Sequence, residues 1–158
     1  MIEYARMLND GIGIEVDKIE AAKYCKKAAD KWDDFAMIEY GKMLQNGNGI
    51  NIDKIGAIYY FKLAIEKGND FAMKNYADML KKGDGVVVNE TEAKRYYKMS
   101  ADKGNDQAMD CYADILCTNN DDKREAARYY KLASDKGNSN LMLKYGNMLY
   151  NGDGIGLN

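Results

Sequence analysis

Carboxylates, tyrosines and three thiols are the side chains of this sequence that could act on another molecule, because its 158 residues include no histidine. That absence removes the Ser-His and Cys-His nucleophile pairs, the imidazole general base and every histidine-bearing zinc site. Cys111 and Cys117 stand six apart, which on one helix points them to different faces. With Cys25 they make an odd number, so free and mostly buried thiols are expected rather than a disulfide framework. The acids are dispersed, and no stretch alternates oxygen ligands as a calcium loop does. Asp78 and Asp114 could still converge, and two close carboxylates would separate in pKa. Such a pair would suit a hydrolase or a small-molecule binder.

Gly-x-Gly segments occur at Gly11-Ile12-Gly13, Gly47-Asn48-Gly49, Gly83-Asp84-Gly85 and Gly152-Asp153-Gly154-Ile155-Gly156. A dinucleotide cradle would need a strand before the glycines and a helix directly after them, whereas each segment here follows a helical pattern. Asn89-Glu90-Thr91 matches a glycosylation acceptor, but the asparagine is better placed as a helix cap. With 23 basic and 25 acidic residues the net charge is -2, too balanced for a nucleic-acid-binding face. No metal and no cofactor is expected. No apolar run is long enough for a membrane span, and Met1-Ile2-Glu3-Tyr4-Ala5-Arg6 lacks a signal-peptide pattern, so the expected compartment is the cytoplasm.

The elements that must position these side chains are repeated. Met1, Met37, Met73 and Met109 fall 36 residues apart, as do Tyr4, Tyr40, Tyr76 and Tyr112, and then Leu8, Leu44, Leu80 and Leu116. A further copy begins 33 residues on with Met142, Tyr145 and Leu149. Ala21, Ala57, Ala93 and Ala126 keep the same register, three residues ahead of Tyr24, Tyr60, Tyr96 and Tyr129. Each unit reads as two helices. The first is entered through Asp34, Asp70, Asp106 or Ser139 and ends at Gly11, Gly47, Gly83 or Gly152. The second opens at Asp17, Asp53, Asn89 or Asp122, with Glu20, Glu92 and Glu125 placed for capping boxes, and closes at Gly68, Gly104 or Gly137. The fourth unit replaces the glycine loop with Cys117-Thr118-Asn119-Asn120-Asp121. The proline-free sequence suits an uninterrupted helical stack.

The repeated pattern Tyr-(Gly/Ala)-x2-Leu-x2-Gly-x-Gly-(Ile/Val), followed by Ala-x2-Tyr-(Tyr/Phe)-x2-Ala-x3-Gly, resembles the Sel-one-like repeat, a relative of the tetratricopeptide repeat. The resemblance covers essentially the whole chain and implies an all-α, right-handed superhelical α-solenoid of antiparallel helix-turn-helix repeats. One array over residues 1–158 is expected, in units of about 1–35, 36–71, 72–107, 108–140 and a partial 141–158. Its last face, Met142-Tyr145-Met148-Leu149, would lack a partner helix, so the chain is expected to be a segment of a longer array or to self-associate end to end. Cysteine-rich relatives associated with β-lactam binding or hydrolysis carry paired cysteines that would fall near Ala29 and Met37. Neither is cysteine, so that activity does not transfer.

In a repeat array the scaffold positions recur and the working positions vary. The tyrosines and methionines recur and are expected in the core, with small partners at Ala5, Gly41, Ala77, Ala113 and Gly146. Opposite them, Arg6, Lys42, Asp78, Asp114 and Asn147 occupy one equivalent site yet differ in charge. Glu3, Glu39, Asn75 and Lys144 flank them on one side, and Asn9, Gln45, Lys81 and Tyr150 on the other. The resemblance implies that first helices line the concave surface. The chain is therefore read as a noncatalytic scaffold or adaptor whose concave ridge, Arg6, Glu39, Lys42, Asn75, Asp78, Asp114, Lys144 and Asn147, binds a peptide or helix of a partner protein. The competing readings are a tolerant solvated face, a passive spacer, or the acidic site named above. On the second helices, Lys26-Asp30, Lys62-Glu66, Lys98-Asp102 and Lys131-Asp135 predict a solvated wall of i,i+4 pairs. Trp32 stands where other units have Gly68, Gly104 and Gly137, so its corner is expected to differ, packing the indole over the joint or presenting it as a partner anchor, with packing preferred.

Overall fold

The 36-residue period resolves into helix pairs in the computed structural model, which describes residues 1–118 and 122–153. Among the described residues there are nine α-helices and no strand: α1 (Ile2–Asp10), α2 (Lys18–Ala29), α3 (Asp34–Asn46), α4 (Lys54–Glu66), α5 (Asp70–Lys82), α6 (Glu90–Asp102), α7 (Asp106–Thr118), α8 (Lys123–Asp135) and α9 (Ser139–Asn151). They sort into two compact bodies, Met1–Asn89 with α1–α5 and Glu90–Asn158 with α6–α9. The fourth unit's Asn119, Asn120 and Asp121, and the closing Gly154-Ile155-Gly156 with Leu157 and Asn158, lie outside the described residues.

The first helices begin one residue earlier than capping by Asp34, Asp70, Asp106 and Ser139 would have them begin. Asp33, Asn69, Asn105 and Asn138 cap them, each side chain accepting the amide three residues on, at Ala36, Ala72, Ala108 and Leu141. Asp34, Asp70, Asp106 and Ser139 are instead the first helical residues. Two good capping residues stand side by side, and the extended backbone at the earlier one, φ -76° and ψ 116° at Asp33, decides between them.

Asp17, Asp53 and Asp122 cap second helices as expected. At the first of these the reciprocal half of the capping box does not form. The Asp17 amide donates to the Leu8 carbonyl, and the Glu20 carboxylate turns to Lys23. Asp53 and Asn89 likewise donate to Leu44 and Leu80, so one recurrent backbone bond ties the start of a second helix to the first helix of its own unit.

Each Gly-x-Gly loop uses its two glycines differently. Gly11, Gly47 and Gly83 end their helices at φ 71°, 73° and 69°, the left-handed conformation expected of a helix stop. Val16, Ile52 and Val88 lie over them, where a Cβ would come within 2.8 Å of each side chain. The second glycine meets the preceding unit. A Cβ on Gly49 would stand 2.0 Å from the Lys18 carbonyl oxygen, and one on Gly85 would stand 2.5 Å from Lys54 Cβ.

The core matches the repeated positions of the interior units, whereas in the first unit Met1 and Tyr4 are exposed. Met37, Tyr40, Leu44, Met73, Tyr76, Leu80, Met109, Tyr112 and Leu116 are buried, and so are Ala5, Ala77 and Ala113. Gly41 lets the Phe61 ring approach to where a Cβ would clash at 2.7 Å. On α9 the equivalent face is open: Met142 is 45% and Leu149 43% exposed, and Gly146 faces free space, although Met148 is buried.

Candidate functional site

The exposed face of the first helices carries the varied residues, but most of its charges already have partners. In the N-terminal body, Lys42 pairs with Glu39 at 2.8 Å and Asp78 with Lys74 at 2.8 Å. Arg6 lies 3.9 Å from Glu3, with both side chains largely in solvent. Arg6 and Glu39 are exposed, while Lys42, Asn75 and Asp78 are half-buried. Asn9 and Gln45 have structural work: Asn48 donates to Asn9, and Gln45 donates to Asp84, each joining one unit to the next loop. Asp84 also pairs with Lys54, and the Gln45 bond, reinforced by Lys54, holds the Asp84 carboxyl below its ordinary pKa.

In the C-terminal body, Lys144 reaches both Asp110 and Asp114, at 2.8 Å from the latter, and the buried Tyr130 hydroxyl donates to Asp114. Burial opposes the Lys144 charge, but the two carboxylates outweigh it and raise its pKa. Burial and the Asp114 bond together push the Tyr130 hydroxyl up, so it remains a donor. Asp114 and Asn147 are exposed and Lys144 is half-buried.

Between α1 and α3 lies a cavity of about 510 Å³. Ala5, Cys25 and Met43, all buried, line it together with Ile2 and Phe35, and the Phe35 ring is 61% exposed. Its charged lining consists of Glu3, Arg6, Asp10, Asp33 and Glu39. Cys25 is buried as expected, and that burial, with the Glu39 charge, pushes its thiol up to about 11, so it is protonated at neutral pH. All three thiols are free as expected, and Cys111 and Cys117 are half-buried where Cys25 is fully so. Phe35 is a lining residue that the core periodicity does not mark. Its signal was present in the comparison of units, where the equivalents of Phe35 are Phe71, Gln107 and Asn140 rather than a recurring core residue.

Trp32 corrects an expectation. Its corner does not differ from the others. The backbone takes φ 65°, in the same region as Gly68 at 82° and Gly104 at 99°. Trp32 donates to Ala29 as Gly68 donates to Ile65, and Lys67 donates to the Trp32 carbonyl just as Lys136 does to that of Gly104. These shared bonds fix the corner whatever residue occupies it. The indole is 60% exposed, with the Lys67 ammonium 5.9 Å from its ring centre.

The second helices are not a merely solvated wall. Lys26–Asp30 forms as predicted, but Asp30 also accepts from Tyr60 of the next unit. Lys98 and Asp102 turn to the following unit altogether, Lys98 to Glu125 and Asp102 to the Tyr129 hydroxyl. The tyrosines between them meet edge to face, Tyr40 on Tyr60 at 4.9 Å and Tyr112 on Tyr129 at 5.1 Å. Among the described residues no three Cys, Asp or Glu side chains form a group able to hold a metal, and no helix is long and apolar enough to cross a membrane.

The repeat geometry is shared with solved structures. The protective antigen c5321 of uropathogenic Escherichia coli strains, which displays an SLR fold, superposes with a TM-score of 0.90 at 26% identity, over 99% of this chain and 34% of that one. A Sel1 repeat protein from Oxalobacter formigenes superposes with a TM-score of 0.89 at 28% identity, over 98% of this chain and 64% of that one. The chain thus spans about a third of the first protein's length and just under two thirds of the second's. No curated protein matches the sequence. The Sel1 repeat model matches residues 1–31, 34–69, 70–105, 119–138 and 139–158. With the fold and the recurring motif in agreement over most of its length, the chain belongs to the Sel1 repeat family, whose members are generally protein–protein interaction scaffolds.

Proposed function

We propose that this chain is a noncatalytic adaptor that holds a peptide or helical segment of a partner protein on the exposed face of its first helices. One observation carries the reading. Ala5, Gly41 and Ala77 are small and buried in successive units, while the residue directly after each changes from Arg6 to Lys42 to Asp78. The same step in the C-terminal body leads from the buried Ala113 to Asp114. Packing accounts for the constant position, and recognition by charge accounts for the variable one.

Reversing two of these charges together, Lys42→Glu with Asp78→Lys, tests the reading by affinity capture. Both positions are more than superficially placed, so a thermal melt first establishes that each variant is folded. The expected result is loss of the proteins captured by the parent chain, by about tenfold or more. Retention of the same proteins at the same level would exclude the ridge as their binding surface.

A further inference from the structure

We propose that the cavity between α1 and α3 is a docking groove for a short extended peptide in which an apolar side chain is flanked by lysine or arginine. The proposal rests on the adaptor reading and names the chemistry of one partner segment. The cavity's 510 Å³ lies within the range of about 300–1,000 Å³ typical of binding clefts. Its buried base is apolar, formed by Ala5, Cys25 and Met43. Phe35 stands beside that base with 61% of its surface in water, so an apolar side chain entering the groove would cover both.

Charge selects what lies beside that side chain. Glu3, Asp10, Asp33 and Glu39 surround the groove against the single guanidinium of Arg6. Arg6 stands 3.9 Å from Glu3, a separation too long for a hydrogen bond. Of the other acids, Asp33 spends one oxygen on the Ala36 amide, Asp10 accepts from Asn9, and Glu39 pairs with the half-buried Lys42. The groove therefore keeps an excess of negative charge and open acceptor positions, which repel an acidic segment and favour cationic side chains. Cys25 adds no reactivity, because its thiol is protonated and sits at the base.

Fluorescence anisotropy tests the groove with three labelled nonapeptides: lysine alternating with leucine between glycine ends, the same with glutamate for lysine, and the same with serine for leucine. Saturable binding of the lysine–leucine peptide is expected, weakening as salt rises, with each of the other two at least about tenfold weaker. Phe35→Ser is expected to lower affinity by about fivefold or more, and the pair Glu3→Gln with Glu39→Gln to flatten the salt dependence. Both changes are at exposed side chains, and melting curves matching the parent's show that the fold is intact. No saturable binding, equal binding of the glutamate or serine peptide, or an unaffected Phe35→Ser variant would overturn the proposal. Competition by N-acetyl-lysine amide as strong as by the peptide would overturn it too, by making this a site for small cations. Lys42→Glu with Asp78→Lys separates the two readings. Lost protein capture with no peptide binding leaves the adaptor and removes the groove, whereas peptide binding with unchanged capture leaves the groove and removes the ridge.

Discussion

Trp32 holds a left-handed backbone that costs an L-residue about 1–2 kcal/mol, at a corner where the other units have glycine. Two contacts offset part of that cost: the Lys67 bond to its carbonyl, which glycine would keep, and the Lys67 ammonium beside the indole, which glycine would lose. Trp32→Gly removes the strain and returns about 0.5–1 kcal/mol of freedom to the unfolded chain. The net expectation is a gain of up to about 1 kcal/mol, seen as a melting temperature higher by a few degrees. A lower melting temperature would show that the indole's contacts outweigh its strain.

At the scale of the elements, the two glycines of a loop are not equivalent, and neither are the same glycines of different loops. Gly13 and Gly49 share φ near 75°, at 75° and 77°, so alanine meets the same backbone cost of about 1–2 kcal/mol at both. Nothing lies within 4 Å of a Cβ at Gly13, whereas Gly49 is seated on the Lys18 carbonyl. Gly49→Ala is therefore expected to lose about 1–3 kcal/mol more than Gly13→Ala in urea unfolding. Equal losses would mean that the loop is not seated on its neighbour. This contact marks a boundary of what the sequence makes legible. Periodicity locates both glycines and the helix ends, because the left-handed stop has a residue signature. It does not show the Lys18 carbonyl, since a backbone atom of another unit leaves no pattern around Gly49. Lys98 and Asp102 fail for the same reason: their i,i+4 spacing is visible, while the competing Glu125 and Tyr129 are 27 residues away.

For the whole molecule, stability rests on ties between consecutive units, and the tie at Asp84 responds to acid. Asp84 joins Gln45 to Lys54, and Asp153 joins its loop to Lys123 in the C-terminal body. The Asp84 pKa is lowered in the folded protein, so its tie is fully present above the unfolded carboxylate's pKa near 4 and is lost as pH falls through the lower folded value. Melting temperature is expected to drop on acidification from about pH 5 to pH 2, and to drop less in Asp84→Asn. The same slope in parent and variant would remove Asp84 from the acid response. The distribution of charge over the first helices was readable from the sequence, since helical periodicity assigns faces. Which charges neutralise one another was not, because Lys144 meets Asp110 and Asp114 from another helix.

The seating of Gly49 on Lys18, and of Gly85 on Lys54, has a consequence for how such a chain can grow. Residues 36–71 carry a plug, Gly49, and a socket, the first turn at Lys54. A tandem copy of that module would place its own Gly49 against a Lys54 identical to the one that already receives Gly85. That joint pairs a plug and a socket that each already serve elsewhere in the chain, Gly49 on Lys18 and Lys54 under Gly85, but not with each other. Duplication of a whole unit thus asks for one new pairing of parts already used in other joints, and each added copy brings a new exposed face free to diverge.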